Sequence, residues 1–401
     1  MLRATLQRSS LLAILTASTL AMGSCDAEPF SPATPELDGP STEMLAVQAS
    51  ASSEAFLRLN ARNIFVGART RPLFDIDVSQ FPGNIGEVVA AAQFFWAEVQ
   101  VTDFPVRAEA LADEIAATQP HVVGLNEVAA FAVVDLGTGL PVEGVDFLPV
   151  LMDALAARGL DYVVQIDQVA TSSQLPYALG PTGVTQILTF QVGDAVLVRG
   201  DLEVTDQANA LYGAGLDLGP VQVGRGWSRV SFPFKGVTHH VVVTHLEQQI
   251  LLPIQNAQAT ELIEVVLAGL EGPTFVVGDL NSDANNGPGA PTWTPTYGRM
   301  LDAGFVDPWL EKTGRAASGE TCCWDDDLIG GMLDQRNDFI LARVPEARKP
   351  NAKGKFLAGV VQMEIFGDED SDRIPSLGIF PADHAGLFGA FNIPRGLITD
   401  R

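Results

Sequence analysis

The chain has 401 residues, with 24 Lys+Arg against 49 Asp+Glu, a formal net charge of −25, and 47% hydrophobic against 18% charged residues. That apolar share supports a sizeable core and excludes global disorder. So few cations, with no Lys/Arg run, exclude a protein that holds nucleic acid mainly by neutralising phosphates, though not one that cuts it, and no uninterrupted apolar run of about 18 residues marks an integral helical membrane protein.

At the start, Arg3 and Arg8 precede the apolar run Leu11-Leu12-Ala13-Ile14-Leu15, which continues to Met22. This is the layout of a secretory signal over residues 1–24. Met22-Gly23-Ser24-Cys25 resembles a bacterial lipobox, with Met22 where Leu is usual. The expectation is an exported, membrane-anchored lipoprotein, periplasmic or at the cell surface, that meets the membrane through a lipid on Cys25. Ordinary cleavage after Ala21 or Gly23 would instead leave Cys25 a free thiol. Residues 25–55 are rich in Pro, Ser, Thr and Ala, including Pro29, Pro32, Pro35 and Pro40, and read as a flexible tether. Length alone permits two or three domains at roughly 100–200 residues each. No later linker of that kind divides the chain, so residues 56–393 are expected to form one domain, followed by a short tail over 394–401.

Phe56 to Phe65 alternates towards a strand. Pro105 to Ala117 reads as a helix that Thr102 or Asp103 caps, Pro105 enters and Pro120 stops. Val122 to Leu125 is a buried strand ending at Glu127, and Leu148 to Ala157 is a helix with Gly159 at its end. Strands follow at Tyr162 to Ile166, Ala195 to Val198, Val230 to Phe234 and Val241 to Thr244. Ile254 to Leu270 is the best amphipathic helix and leads into the strand Thr274 to Val277. Phe339 to Ala342, Val360 to Phe366 and Leu387 to Phe391 complete the set. Many strands with helices between some of them fit two packed sheets covered by helices.

Polar residues at strand ends carry the chemical signal, because there the chain stops burying side chains and can aim them into a shared cleft. They are Asn63, Glu127 in Gly124-Leu125-Asn126-Glu127-Val128, His245 in Val243-Thr244-His245-Leu246, Asp279 and Asn281 in Val277-Gly278-Asp279-Leu280-Asn281-Ser282, Asp338 in Arg336-Asn337-Asp338-Phe339-Ile340, and Asp383-His384. Singly, each is more often a cap, a turn residue or a structural histidine. Their order, from Leu57 to about Ile393, resembles the endonuclease/exonuclease/phosphatase superfamily, and Asn63-Ile64-Phe65-Val66-Gly67-Ala68 resembles the opening of a bacterial exported subgroup. The resemblance implies an α/β fold, a four-layer α/β/β/α sandwich of two packed mixed β-sheets flanked by helices. It also implies phosphoester hydrolysis with Mg²⁺ or Mn²⁺. Asn126, Asn337 and Ala382 replace the residues usual before the metal Glu, the Asp and the terminal Asp-His. Phe65 stands where a further Asp is often found, which puts a second metal site in doubt but not single-metal hydrolysis.

The residue chemistry agrees. A phosphodiester is anionic, so water attacks it readily only if a cation draws off charge and a base supplies the nucleophile. Mg²⁺ takes oxygen ligands and keeps several waters. Glu127 is the expected metal carboxylate, Asn63 either orients it or coordinates through its amide oxygen, and Asp383 reaches the ion or its water shell. His384 would lie nearest the attacking water or the scissile phosphate, with Asp338 fixing its tautomer. Asp279 orients and deprotonates water, Asn281 donates to phosphate oxygen, and His245 stabilises developing charge or protonates the leaving oxygen, as the matching His does in deoxyribonuclease- and sphingomyelinase-like members. Whether Asp279 or His384 is the base stays open.

Other features take bland readings. His121, His239 and His240 read as structural or solvent-facing, and Asp325-Asp326-Asp327 and Asp368-Glu369-Asp370 as solvated loops, with Ca²⁺ binding the lesser reading. Phe94-Phe95-Trp96 reads as core packing rather than a membrane wedge. Cys322-Cys323 is compatible with two buried or idle thiols, a strained bond between neighbours, or a metal site. Asp279 to Asn285 spaces oxygen donors like the start of an EF-hand loop, but Ala284 and Ala290 stand where Gly and Glu are needed. The expected function is a phosphodiesterase, with a phosphomonoesterase of the same fold, or a non-catalytic surface binding protein retaining it, as the alternatives. The expected partner is a phosphoester substrate: nucleic acid, a phospholipid head group or a nucleotide.

Overall fold

Strand β1 (Leu57–Asn63) is buried along almost its whole length, since it runs between a parallel and an antiparallel neighbour and is covered on both faces. The computed structural model describes residues 56–217, 221–314, 317–344 and 359–392. The expected signal, the tether with Cys25 and the C-terminal tail lie outside the described residues.

Chain order gives β2 (Val122–Asp135), β3 (Pro141–Asp146), β4 (Tyr162–Gly180), β5 (Gly183–Arg199), β6 (Asp206–Leu211), β7 (Leu216–Asp217), β8 (Val221–Val223), β9 (Gly226–Phe234) and β10 (Val237–Thr244). They are followed by β11 (Thr274–Asp279), β12 (Cys322–Trp324), β13 (Gly331–Gln335), β14 (Asp338–Arg343), β15 (Val360–Phe366) and β16 (Gly386–Phe391). One mixed sheet has the order β15-β16-β1-β2-β5-β4-β8-β7, with β3 paired to β2. A second mixed sheet has the order β14-β11-β10-β9-β6, and β12 and β13 form a separate hairpin.

The two large sheets pack face to face. Leu57, Leu59, Ala61, Val122 and Val196 of the first share a buried apolar layer with Phe232, Val241, Val243, Phe275, Val277 and Ile340 of the second. Gly124 permits the approach at the site end. A Cβ there would lie 2.8 Å from Val243 Cγ2 and 2.9 Å from Val277 Cγ1.

Helices α1 (Ile85–Val101), α2 (Phe104–Thr118) and α3 (Phe147–Ala157) cover the outer face of the first sheet. In α2, Phe104, Ala108, Leu111, Ala112 and Ile115 recur at helical spacing and are buried, and Pro105 sits in the first turn. Asp103 precedes this helix with φ 42° and makes no side-chain cap, while the Thr102 hydroxyl donates to Gly67 O at 2.8 Å. Asp146 does cap α3, accepting from Leu148 N at 3.3 Å. The outer face of the second sheet is covered by α4 (Leu252–Glu261) and α5 (Thr296–Asp302), whose Ala259 and Met300 pack with Val242, Val276 and Leu341. The layers are therefore helix, sheet, sheet, helix, as expected.

Three local expectations need correction. The strand at Val122 does not end at Glu127 but continues to Asp135, past a bulge between Asn126 and Val128. The strands at Tyr162 and Ala195 are parts of one long hairpin, β4 and β5. The helix from Ile254 is α-helical only to Glu261 and widens to a π-helix over Leu262–Val266. Phe95 and Trp96 are buried against Phe131, while Phe94 is exposed under the Arg69 guanidinium. Among the described residues, no helix is long and apolar enough to cross a membrane.

Candidate active site

The site forms where β1, β2, β10, β11 and β14 end or bend together. Three non-glycine residues there hold left-handed backbone: Phe65 (φ 61°), Glu127 (φ 59°) and Asn281 (φ 47°). Such conformations are disfavoured and persist where surrounding structure imposes them, often at functional sites. At Glu127 the bulge breaks the alternation of β2 and turns out a side chain that regular pairing would have directed elsewhere. Gly278 has φ 128°, and a Cβ there would lie 2.8 Å from Asn126 Oδ1, so glycine is required before Asp279.

Asp279 Oδ2 is the hub. Asn281 Nδ2 lies 3.3 Å from it, His245 Nε2 3.4 Å, Asn63 Nδ2 3.5 Å and His384 Nε2 3.9 Å. Its other oxygen accepts from Asn281 N at 2.7 Å. Asn63 Nδ2 also donates to Glu127 Oε1 at 3.1 Å, and Val66 N donates to Glu127 Oε2 at 2.8 Å. His384 Nδ1 donates to Asp338 Oδ2 at 2.8 Å. Thus Asn63, Glu127, His245, Asp279, Asn281, Asp338 and His384 form one connected group. Asp383 belongs to it electrostatically, since its carboxyl interacts with both Glu127 and His384.

These contacts narrow roles that the sequence left open. Asn63 Oδ1 accepts from Phe65 N at 3.0 Å while its Nδ2 faces two carboxylates. A flipped amide would oppose like groups at both ends, so Asn63 orients Glu127 rather than offering its oxygen to an ion. His245 Nδ1 lies 2.9 Å from an Arg225 nitrogen, which has only protons to give, while Nε2 lies 3.4 Å from Asp279 Oδ2 and 3.1 Å from Asn281 Nδ2; the guanidinium on one side and the carboxylate on the other favour the proton on Nε2. Burial, then the charges of Arg225 and His384, hold the His245 pKa well below the usual value. A neutral Nε2–H can stabilise an oxyanion, but it carries no spare proton for a leaving group.

The remaining charges complement this. Burial opposes a cationic His384, yet the carboxylates of Asp338 and Asp383 outweigh it and raise the ring well above its usual pKa. Burial and then Asp338 push Asp279 up to about 8, against the opposing pull of His384. Burial likewise raises Asp383 to about 7, with Glu127 and Asp326 adding to it. Asp383 Oδ1 and Asp338 Oδ1 are buried without a hydrogen-bond partner. Crowded carboxylates and an orphaned oxygen are what a hard divalent cation would relieve. Glu127 and Asp383 suit that ion, and the Asp279, Asp338 and His384 ligand atoms also lie within 4.8 Å of one another.

Several supporting residues were given no role by the sequence. Asn126 Oδ1 accepts from Asp279 N at 3.0 Å, while its Nδ2 donates to Asp194 Oδ1 at 2.7 Å, so the residue beside Glu127 also sets the Asp279 backbone. Arg62 donates to His384 O and pairs with Glu114 at 2.9 Å. Arg107, fully buried, donates to Ile64 O (2.7 Å), Thr102 O (3.0 Å), Pro381 O (3.0 Å) and Phe65 O (3.4 Å). It thereby ties the loop after Asn63 to the segment before Asp383. A separate cleft of about 370 Å³, lined by Val106, Asp113, Glu114, Arg373 and Pro381 among others, contains none of the site residues.

The model of the Endonuclease/Exonuclease/phosphatase family matches residues 92–345, more than half of the chain. The chain belongs to this family. The matched span includes Glu127, His245, Asp279, Asn281 and Asp338, and the fold adds Asn63 and Asp383-His384 from outside it. Among solved structures, an endonuclease/exonuclease/phosphatase from Beutenbergia cavernae DSM 12333 is 20% identical with a TM-score of 0.49, covering 84% of this chain and 72% of that one. Humanized TDP2 from D. rerio, carrying 14 mutations, is 15% identical with a TM-score of 0.48, covering 84% and 100%. A mannosyl-6-phosphatase from Bacteroides thetaiotaomicron VPI-5482 is 15% identical with a TM-score of 0.46, covering 83% and 98%. A search of curated proteins returns no match.

The other histidines take structural places, and of the acidic runs Asp326 acts on the site electrostatically, raising Asp383. His121 Nδ1 accepts from Arg58 N at 3.1 Å, and His239 is buried, with desolvation lowering it to about 4. Asp325-Asp326-Asp327 and Asp368-Glu369-Asp370 are exposed. Asp283 spends its carboxylate on Asn285 N, Asn286, Thr292 and Arg336 N, so the loop after Asp279 is closed by its own hydrogen bonds and not arranged as an EF-hand.

Proposed function

We propose that the protein is a divalent-metal-dependent phosphoester hydrolase that acts on phosphodiesters. The convergence of two imidazoles and two amides on Asp279 Oδ2, with Glu127 joined to it through Asn63, carries this reading.

Glu127 and Asp383 would hold Mg²⁺ or Mn²⁺, which supplies Lewis acidity toward a phosphate oxygen. Asp279 orients a water and takes its proton. His245 Nε2–H and Asn281 Nδ2 donate to phosphoryl oxygens, where negative charge grows in the transition state. His384, held by Asp338, presents its Nε2–H 3.9 Å from Asp279 Oδ2 as a fixed positive charge. Arg225 keeps His245 in the donating tautomer and is itself paired to Glu247 at 3.3 Å.

Charge favours the diester. The site gathers Glu127, Asp279, Asp338 and Asp383 in a chain of net charge −25, so a monoanionic diester is repelled less than a dianionic monoester. The same field disfavours long polyanions and leaves small diesters and lipid head groups ahead of nucleic acid. A panel of plasmid DNA, RNA, sphingomyelin, phosphatidylinositol and nucleotides, each with Mg²⁺, Mn²⁺, Ca²⁺ or EDTA, tests this directly. Turnover confined to monoesters would replace the diesterase reading with the phosphomonoesterase one.

We also propose, from residues 1–25 alone, that the protein is exported and lipid-anchored through Cys25. Mass analysis of the mature N-terminus checks it, and an unmodified Cys25 refutes the anchor.

A further inference from the structure

Cys322 and Cys323 are joined by a disulfide that faces the reacting centre. Their strand lies against the segment carrying the terminal Asp-His. Cys322 bridges to His384 in antiparallel fashion, Trp324 N donates to Asp383 O at 2.8 Å, and Ala385 N donates to Thr321 O at 2.7 Å. The Thr321 hydroxyl accepts from Asn337 N at 3.2 Å and from Asp338 N at 3.1 Å. On the far side, Trp324 stacks on Phe380 with ring centroids 3.9 Å apart, and its Nε1 donates to Gly367 O at 3.0 Å. This places Cys323 Sγ 3.9 Å from His384 Nε2, the nitrogen that Asp338 leaves free and that faces Asp279. Cys322 is 2% exposed, whereas Cys323 is partly open to solvent.

We propose that this disulfide is a thiol-exchange site for a dithiol reductant, and that its reduction slows hydrolysis by placing a thiol on His384 Nε2. The inference rests on the phosphoesterase reading above. A dithiol in its thiolate form attacks the accessible Cys323 sulfur, giving a mixed disulfide and releasing the Cys322 thiolate. The reductant's second thiol then displaces Cys323 and leaves as a cyclic disulfide. Two electrons pass to the protein sulfurs, and two protons complete the pair of thiols. While bonded to Cys322 the Cys323 sulfur is fixed in place, whereas the free thiol can turn its lone pair toward His384 Nε2–H, 3.9 Å away, and compete with the phosphate oxygen for that proton. The backbone bonds of Thr321, Trp324 and Ala385 do not involve sulfur, so the loop keeps its place while the chemistry beside His384 changes.

The test uses the full chain, Mg²⁺ and bis(4-nitrophenyl) phosphate. After dithiothreitol treatment and removal, thiol counting and peptide mass should show two new thiols, at Cys322 and Cys323. kcat should fall about tenfold or more, below the loss typical for removing one oxyanion donor because Nε2 is contested and not deleted. Reoxidation should restore it. A Cys322→Ala/Cys323→Ala protein should ignore the reductant, and Cys323→Ser, which keeps a hydroxyl beside Nε2, should be slow in both conditions. Failure of the two thiols to appear, an unchanged kcat once they have appeared, or persistent sensitivity in the double variant would each overturn the proposal. Hydrolysis absent in both redox states would instead sink the phosphoesterase reading, and this inference with it.

Discussion

His384 Nδ1 donates to Asp338 Oδ2 across 2.8 Å, and this bond decides that Nε2 is the nitrogen presented to Asp279. Replacing Asp338 with Asn removes the charge that favours imidazolium while keeping a group of the same shape. The His384 pKa should fall towards its usual value, so activity that needs the cationic ring should be lost at lower pH than in the wild type. A pH–rate profile of Asp338→Asn should show its alkaline limb displaced downward, with kcat reduced about a hundredfold or more. An unmoved limb would mean that the cation is not required.

Glu127 and His384 make separable predictions. Glu127→Ala should lose at least about a hundredfold in turnover and should also weaken Mg²⁺ binding measured by calorimetry. His384→Ala should lose a comparable factor with Mg²⁺ affinity nearly unchanged, because it acts on the phosphate. Wild-type turnover in both variants would remove the site assignment.

The buried acids give a pH signature in stability. Asp279 and Asp383 are raised to about 8 and about 7, above the range of an unfolded carboxyl near 4. The folded chain therefore binds more protons than the unfolded one between these limits, and stability falls as pH rises from about 4 to about 8. His384, also raised, adds to the same trend as pH rises through its folded pKa. His245, depressed, opposes it by favouring the fold above its unfolded pKa and losing that contribution as pH falls. In EDTA, the melting temperature should drop from pH 5 to pH 8, and the rise produced by Mg²⁺ should be larger at pH 8. Equal Mg²⁺ shifts at both pH values would argue against carboxylate ligation at this site.

Gly278 tests the coupling of backbone to chemistry. Its φ of 128° and its closeness to Asn126 Oδ1 leave no room for a methyl group. Gly278→Ala should cost about 1–3 kcal/mol of stability in denaturant titration and lower kcat, by displacing Asp279. A stable variant with full activity would show that the loop tolerates another path.

The polar strand ends were legible because each follows a short apolar run, and the match of Gly278-Asp279-Leu280-Asn281-Ser282 and Asp383-His384 to one family joined positions far apart in the chain. The layered fold was legible for the same reason. The bulge at Glu127 was not, since Leu125-Asn126-Glu127-Val128 continues smoothly into Ala129 and looks the same whether the strand stops or kinks. Arg107 and Arg62 were also hidden, because each works through backbone carbonyls of distant segments, which no side-chain motif records. Arg225 left a fainter trace, as a lone cation between Gly224 and Gly226 at the head of β9. The cystine was undecidable from spacing, and only its placement against His384 gives it meaning.

The most direct test of the central claim is the initial rate of bis(4-nitrophenyl) phosphate hydrolysis by purified protein, titrated with Mg²⁺ after exhaustive EDTA treatment, beside Asp279→Asn under the same conditions. Saturable activation by Mg²⁺ in the wild type and loss of about a hundredfold or more in Asp279→Asn are the predicted results. Full hydrolysis in EDTA, or an Asp279→Asn protein as fast as the wild type, would contradict the account.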